Sequence, residues 1–127
     1  MKIYSGVDII DIKRFEKTLD RHKEKFLNKF LVTEEIESSQ RLERLAALFA
    51  AKEAISKALG TGIGQKNIGW HDFLIKHNKL GKPEVILKNE AKVRFEKMHG
   101  IDIDLSISHE KQFAIAFCLI LTEETYE

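Results

Sequence analysis

The stretch LERLAALFAAKEAISKAL, residues 42–59, is followed at once by GTGIG, residues 60–64. Ala46, Ala47, Ala50, Ala51, Ala54 and Ala58 favour helix strongly, and their small side chains let a neighbouring element approach closely. The glycines supply a natural stop, because the turn that closes a helix often needs left-handed backbone. An 18-residue helix with apolar residues on every side belongs in a core, so the rest of the chain must pack around it.

The flanking sequence supplies strands and further helices. Lys2 to Ile10 is rich in β-branched and apolar residues and predicts a strand. A basic amphipathic helix is expected from Ile12 to Arg21, with Phe15 and Leu19 spaced i, i+4. Thr33-Glu34-Glu35-Ile36-Glu37 reads as an N-cap with acids in the first turn that follows. After the central helix, short strands are expected at Phe73–Lys76 and Glu84–Leu87 around the turn Lys79-Leu80-Gly81-Lys82-Pro83. Asn89 is placed to cap a helix running to His99 and closed by Gly100. Ile103 to Ser108 alternates apolar and polar residues and Gln112 to Leu121 is apolar, so the two read as a hairpin turning at Ser108–Lys111. Helices mixed with hairpin strands define an α+β class in one small domain spanning residues 1–127.

With 21 basic and 20 acidic side chains, the net charge of +1 gives no global attraction to nucleic acid or membrane. Charge is uneven locally: residues 11–29 hold seven Lys or Arg against four Asp or Glu. Such a stretch is either a solvated helix face with internal ion pairs or a surface for an acidic partner. Cys118 is the only cysteine, which excludes an intrachain disulfide, and its apolar surroundings (residues 114–121) predict a buried thiol. That run is too short to span a bilayer as a helix, and Asp8 and Asp11 interrupt any apolar leader at the N-terminus, so a cytoplasmic protein is expected.

Three blocks place polar groups where the fold alone does not ask for them. In GVDIIDIKR, residues 6–14, Asp8 sits inside an apolar strand. It needs a cation, a metal or several donors, unless it caps the next helix or reaches solvent. In FAAKEAISK, residues 49–57, Glu53 and Lys57 share one helix face. They make either an ordinary i, i+4 ion pair or a carboxylate for a hard cation beside an ammonium for a phosphate oxygen. In LSISH, residues 105–109, small polar residues and His109 fall near the hairpin turn, where they could serve an anion or be merely exposed. GTGIG is not a phosphate-binding loop of the nucleotidase type, since it follows its helix and meets the negative end of the dipole. Phosphate held there would need Lys57, a divalent ion and loop amides. His22, His71, His77 and His99 show no metal-ligand spacing and read as structural or surface residues.

Taken together, Gly6-x-Asp8 with Arg14, the block Phe49-Ala-x-Lys52-Glu53-Ala54-x-x-Lys57, and Ser106-Ile107-Ser108-His109 with Ala114 and Ala116 resemble the holo-acyl-carrier-protein synthase family, the short 4'-phosphopantetheinyl transferases. The motifs Gly60-Thr61-Gly62-Ile63-Gly64 and Gly81-Lys82-Pro83 match as well, and order and spacing agree along the whole chain. The resemblance implies an enzyme that transfers the phosphopantetheine arm of coenzyme A to a serine of apo acyl carrier protein, for fatty acid biosynthesis. It implies Mg²⁺ on Asp8 and Glu53, Glu53 and Lys57 as catalytic residues, and a coenzyme A site using Lys57, Gly60, Gly62, Lys82, Pro83 and His109. It also implies carrier-protein contacts from Lys13, Arg14 and Arg21, and a homotrimer with active sites between subunits. Burial of the long apolar C-terminal strand against copies of the chain is consistent with that trimer. One position departs from the pattern: Leu48 stands where many members carry a nucleotide-binding arginine, leaving Arg41 or Arg44 to supply the charge. Two other readings fit the residues less well: a metal-dependent phosphohydrolase acting on coenzyme A or a related nucleotide, and a non-catalytic binding module on the same fold.

Overall fold

A computed structural model describes residues 1–37 and 41–123. In chain order the elements are β1 (Lys2–Asp11), α1 (Ile12–Arg21), α2 (Lys23–Phe30), α3 (Thr33–Ile36), α4 (Leu42–Ala58), β2 (Phe73–His77), β3 (Pro83–Leu87), α5 (Asn89–Lys97), β4 (Gly100–His109) and β5 (Phe113–Thr122). β1, β5 and β4 form an antiparallel sheet in that order, and β2 pairs with β3 as a separate hairpin. The α+β expectation holds.

The core lies where α4 crosses the inner face of the three-stranded sheet. Eleven of its seventeen residues are buried, including Ala46, Ala50, Ala51 and Ala54. β5 answers with small residues on its inner side: Ala114, Ala116 and Cys118 are buried, while Phe113, Ile115, Phe117 and Leu119 on the other side are exposed. Small side chains on both partners bring helix and strand axes close, and the period of two sends the bulky residues of β5 outward. A second cluster joins Phe15, Phe26, Phe30, Phe49 and Trp70, with ring centroids 4.7–6.2 Å apart, and fastens α1 and α2 to α4.

Several local expectations are corrected. Lys23–Phe30 is a helix of its own beyond a break at His22, which the charge-rich sequence did not announce. Thr33 is the first residue of α3 and not its cap; Val32 occupies the cap position, and the Glu35 carboxylate reaches back to accept from the Val32 amide at 3.0 Å. The helix beginning at Asn89 ends at Lys97. β4 starts at Gly100, three residues earlier than its alternation suggested, because a register shift between Gly100 and Asp102 hides the period of two. Among the described residues, no helix is long and apolar enough to cross a membrane.

Candidate active site

The site begins with a glycine. A Cβ added at Gly6 would lie 2.0 Å from the Ala54 carbonyl oxygen and 2.6 Å from the Ala58 amide nitrogen. Only a residue without a side chain lets β1 cross α4 at this point. Asp8 follows two residues along and faces the same side of the strand, so the crossing carries it to the last turns of α4. There the Lys57 ammonium lies 3.0 Å from Asp8 Oδ1 and donates to the Val7 carbonyl at 2.9 Å.

Asp8 therefore neither caps the next helix nor points into solvent. Asp11 does the capping, its Oδ1 accepting from the Arg14 amide at 3.2 Å. Nor does Lys57 form the i, i+4 pair with Glu53; its ion pair is with Asp8. The second carboxylate oxygen, Asp8 Oδ2, is buried and has no hydrogen-bond partner among the described residues. Glu53 lies one turn before Lys57, and its carboxyl is raised above the usual carboxylate range. Burial is the main cause and the Asp8 charge the second, with Lys57 opposing both. Two neighbouring carboxylates, one with an orphaned oxygen, form an oxygen donor set beside the Lys57 ammonium. Mg²⁺ suits such a set, since it takes oxygen ligands and keeps several of its waters. Among the described residues, no cluster of three or more His, Cys, Asp or Glu could hold a metal.

The glycines behind α4 close the helix, as expected. Gly60, Gly62 and Gly64 all have positive φ, as a helix stop requires. The Gly60 amide donates to the Lys57 carbonyl and the Thr61 and Gly62 amides to that of Ser56. The amides of Gly60 and Gly62 are thus engaged in closing the helix.

A second feature lies toward the other end of α4. A cleft of about 440 Å³ is bordered by Arg41, Arg44 and Leu48 of α4, by His77, Gly81 and Pro83 of the β2–β3 hairpin, and by His109 of β4. The structure thus gathers Pro83 and His109 with both arginines that the departure at Leu48 had singled out. Lys82 is not among the residues bordering the cleft. Its ammonium pairs with Asp104 at 2.8 Å, with both groups exposed. Ser106 and Ser108 part company with His109: the period of two puts them on the opposite face of β4. On α1 the buried residues are Ile12, Phe15 and Leu19, which leaves Lys13, Arg14, Lys17 and Arg21 exposed along one surface.

Sequence reasoning missed two features. The first is Lys52. Its ammonium is fully buried and donates to Glu35 Oε1 at 2.6 Å, to the Phe30 carbonyl at 2.7 Å and to the Trp70 carbonyl at 3.2 Å. Glu35 Oε2 in turn accepts from the Ile75 amide at 2.9 Å. Burial pushes the Lys52 pKa down against the opposing pull of Glu35. A lysine amid alanines in a helix with no polar face was the available signal. The second is His77, for which the sequence offered none.

Comparisons with known proteins show the family and the fold. The family model of the 4'-phosphopantetheinyl transferase superfamily matches residues 5–118. A holo-acyl-carrier-protein synthase of Vibrio cholerae is 45% identical over 119 residues, covering 91% of this chain and 94% of that protein. The crystal structure of the Helicobacter pylori holo-acyl-carrier-protein synthase in complex with coenzyme A superposes with a TM-score of 0.82 at 36% identity, covering 92% of this chain and 99% of that one. The Bacillus anthracis synthase, also solved in complex with coenzyme A, gives a TM-score of 0.75 at 36% identity, covering 94% of this chain and 96% of that one. The chain belongs to the 4'-phosphopantetheinyl transferase superfamily, within its holo-acyl-carrier-protein synthase family.

Proposed function

We propose that this chain transfers the 4'-phosphopantetheine group of coenzyme A to a serine of apo acyl carrier protein, with Mg²⁺ held by Asp8 and Glu53, and releases adenosine 3',5'-bisphosphate. The observation that carries this reading is the convergence of Asp8, Glu53 and Lys57 where β1 crosses α4, with the orphaned Asp8 Oδ2 among them. Bound there, the ion supplies charge neutralisation and a template for the pyrophosphate.

The serine oxygen attacks the phosphorus that bears the pantetheine arm. The bond between that phosphorus and the bridging oxygen of the pyrophosphate breaks, and the bisphosphate leaves with the bonding electron pair. Glu53 accepts the serine proton, directly or through a water. Lys57, held by Asp8 and the Val7 carbonyl, donates to oxygens of the departing bisphosphate. The exposed Lys13, Arg14 and Arg21 of α1 suit an acidic carrier.

The basic cleft takes the nucleotide end of coenzyme A. Arg44 and Glu53 are nine residues apart on one helix, roughly 13 Å along its axis. The working site then combines the carboxylates of one copy of the chain with the cleft of another. The apolar outer face formed by Val7, Ile9, Phe113, Ile115, Phe117 and Leu119 supports this trimeric reading, since so much exposed apolar surface on one sheet marks an interaction site. The setting is the cytoplasm and the pathway fatty acid biosynthesis.

Release of adenosine 3',5'-bisphosphate from coenzyme A with and without apo carrier tests the reaction class. Release that requires carrier supports transfer; equal release without it would make the chain a phosphohydrolase.

A further inference from the structure

His77, the last residue of β2, borders the same cleft as Arg41, Arg44 and His109. It stands on the hairpin side, facing the N-terminal part of α4. Its charged and titratable neighbours in the cleft are Arg41, which precedes α4, Glu43 and Arg44 of α4, and His109 of β4. On its other side His77 lines a shallower hollow with Arg44, Lys76, Glu34 and Glu35, where the Glu35 carboxylate is engaged by Lys52 and by the Ile75 amide. Of the two lysines in the hairpin turn, Lys79 and Lys82, the second is drawn to Asp104.

We propose that His77 is a specificity-determining residue for a phosphomonoester in this cleft, taking up a proton as the dianion binds and so adding a cation to those of Arg41 and Arg44. The proposal rests on the reading of the cleft as the nucleotide site. His77 is exposed at the rim of the cleft; without ligand, partial desolvation there and the neighbouring Arg44 hold its pKa below the ordinary imidazole value of 6.5, so the ring is largely neutral near pH 7. A dianion among the two arginines offsets the repulsion from Arg44 and adds an attraction of its own. Both effects raise the affinity of the ring for a proton. The 3'-phosphate is the one phosphomonoester in coenzyme A, so His77 distinguishes coenzyme A from its 3'-dephospho form.

The test is titration calorimetry of the Mg²⁺-supplemented full chain and of His77→Gln with coenzyme A and with 3'-dephospho-coenzyme A. Each is run in buffers of different ionisation enthalpy between pH 6.5 and 8.5. The wild type is expected to take up more protons per coenzyme A bound than His77→Gln near pH 7. It is also expected to bind about tenfold more tightly at pH 6.5, a margin that closes toward pH 8.5 as the free imidazole stays neutral. Binding of the dephospho form should be the same for both proteins. Equal proton uptake by the two proteins, or an equal loss with the dephospho form, would overturn the role of His77 while leaving the cleft as the nucleotide site. Failure of the folded wild type to bind coenzyme A would overturn the nucleotide site and this role with it.

Discussion

At the scale of single residues, the carboxylate pair sets activity against stability. Glu53 is raised above its usual value of 4.5, so the folded chain without metal holds the Glu53 proton more tightly than the unfolded chain does. That contribution is fully present below pH 4.5 and is lost as pH rises through the raised value, leaving a charged Glu53 beside Asp8 at neutral pH. Glu53→Gln should therefore raise the metal-free melting temperature at pH 7.5 by about 3 °C, with no gain at pH 4, while abolishing transfer. Scanning calorimetry at the two pH values checks it. The residues of this site were legible as residues but not as pairs. The i, i+4 spacing pointed Lys57 at Glu53, whereas its partner Asp8 lies 49 positions away and is delivered only by the strand crossing at Gly6. His77 was illegible because its meaning depends on a cleft assembled from three elements. Cys118, by contrast, followed from its apolar run: it is buried, and its pKa is pushed up to about 12, chiefly by burial.

At the scale of elements, the contact of β1 with α4 is the most constrained. The Cβ of Gly6→Ala would meet backbone atoms, which cannot step aside as a flexible side chain would. The variant should lose roughly 3 kcal/mol or more in urea unfolding, and its transfer activity should fall further than its stability because Asp8 moves with the strand. Lys52 makes the complementary prediction. It links α4 to the end of α2, to α3 and to the turn at Trp70, and through Glu35 to β2. Lys52→Met or Glu35→Gln alone should cost about 3–5 kcal/mol, because each removes one partner of a buried ion pair. Lys52→Met with Glu35→Leu should recover much of that loss in a double-mutant cycle. The alanine-rich α4 was readable from its composition, and the β4–β5 hairpin from a period that holds beyond the register shift at Gly100–Asp102. Helix α2 was not, since Lys23-Glu24-Lys25 looks like a continuation of the charged surface and only Phe26 and Phe30, packed with Phe15 and Phe49, justify it.

For the whole molecule, the inverted pattern of β5 carries the main consequence. A chain of 127 residues has little core to spare, yet it places its small residues inside and Phe113, Ile115, Phe117 and Leu119 outside. The proposed trimer buries that face and brings the cleft of one copy to the carboxylates of the next. Phe117→Glu should leave the circular dichroism spectrum intact, convert the trimer to monomer in sedimentation velocity, and remove transfer although no group at Asp8, Glu53 or Lys57 has changed. A monomeric, fully active variant would separate the apolar face from catalysis.

The most direct test of the central claim is the intact mass of an apo acyl carrier protein after incubation with coenzyme A, Mg²⁺ and either the wild-type chain or Asp8→Asn, a variant that keeps the shape of the side chain and removes its charge. The wild type should add the mass of one phosphopantetheine to the carrier, and the addition should vanish with chelator and fall at least about 100-fold in rate with Asp8→Asn. An unmodified carrier with folded wild-type chain, or full modification by Asp8→Asn, would contradict the assignment of this crossing of β1 and α4 as the transfer site.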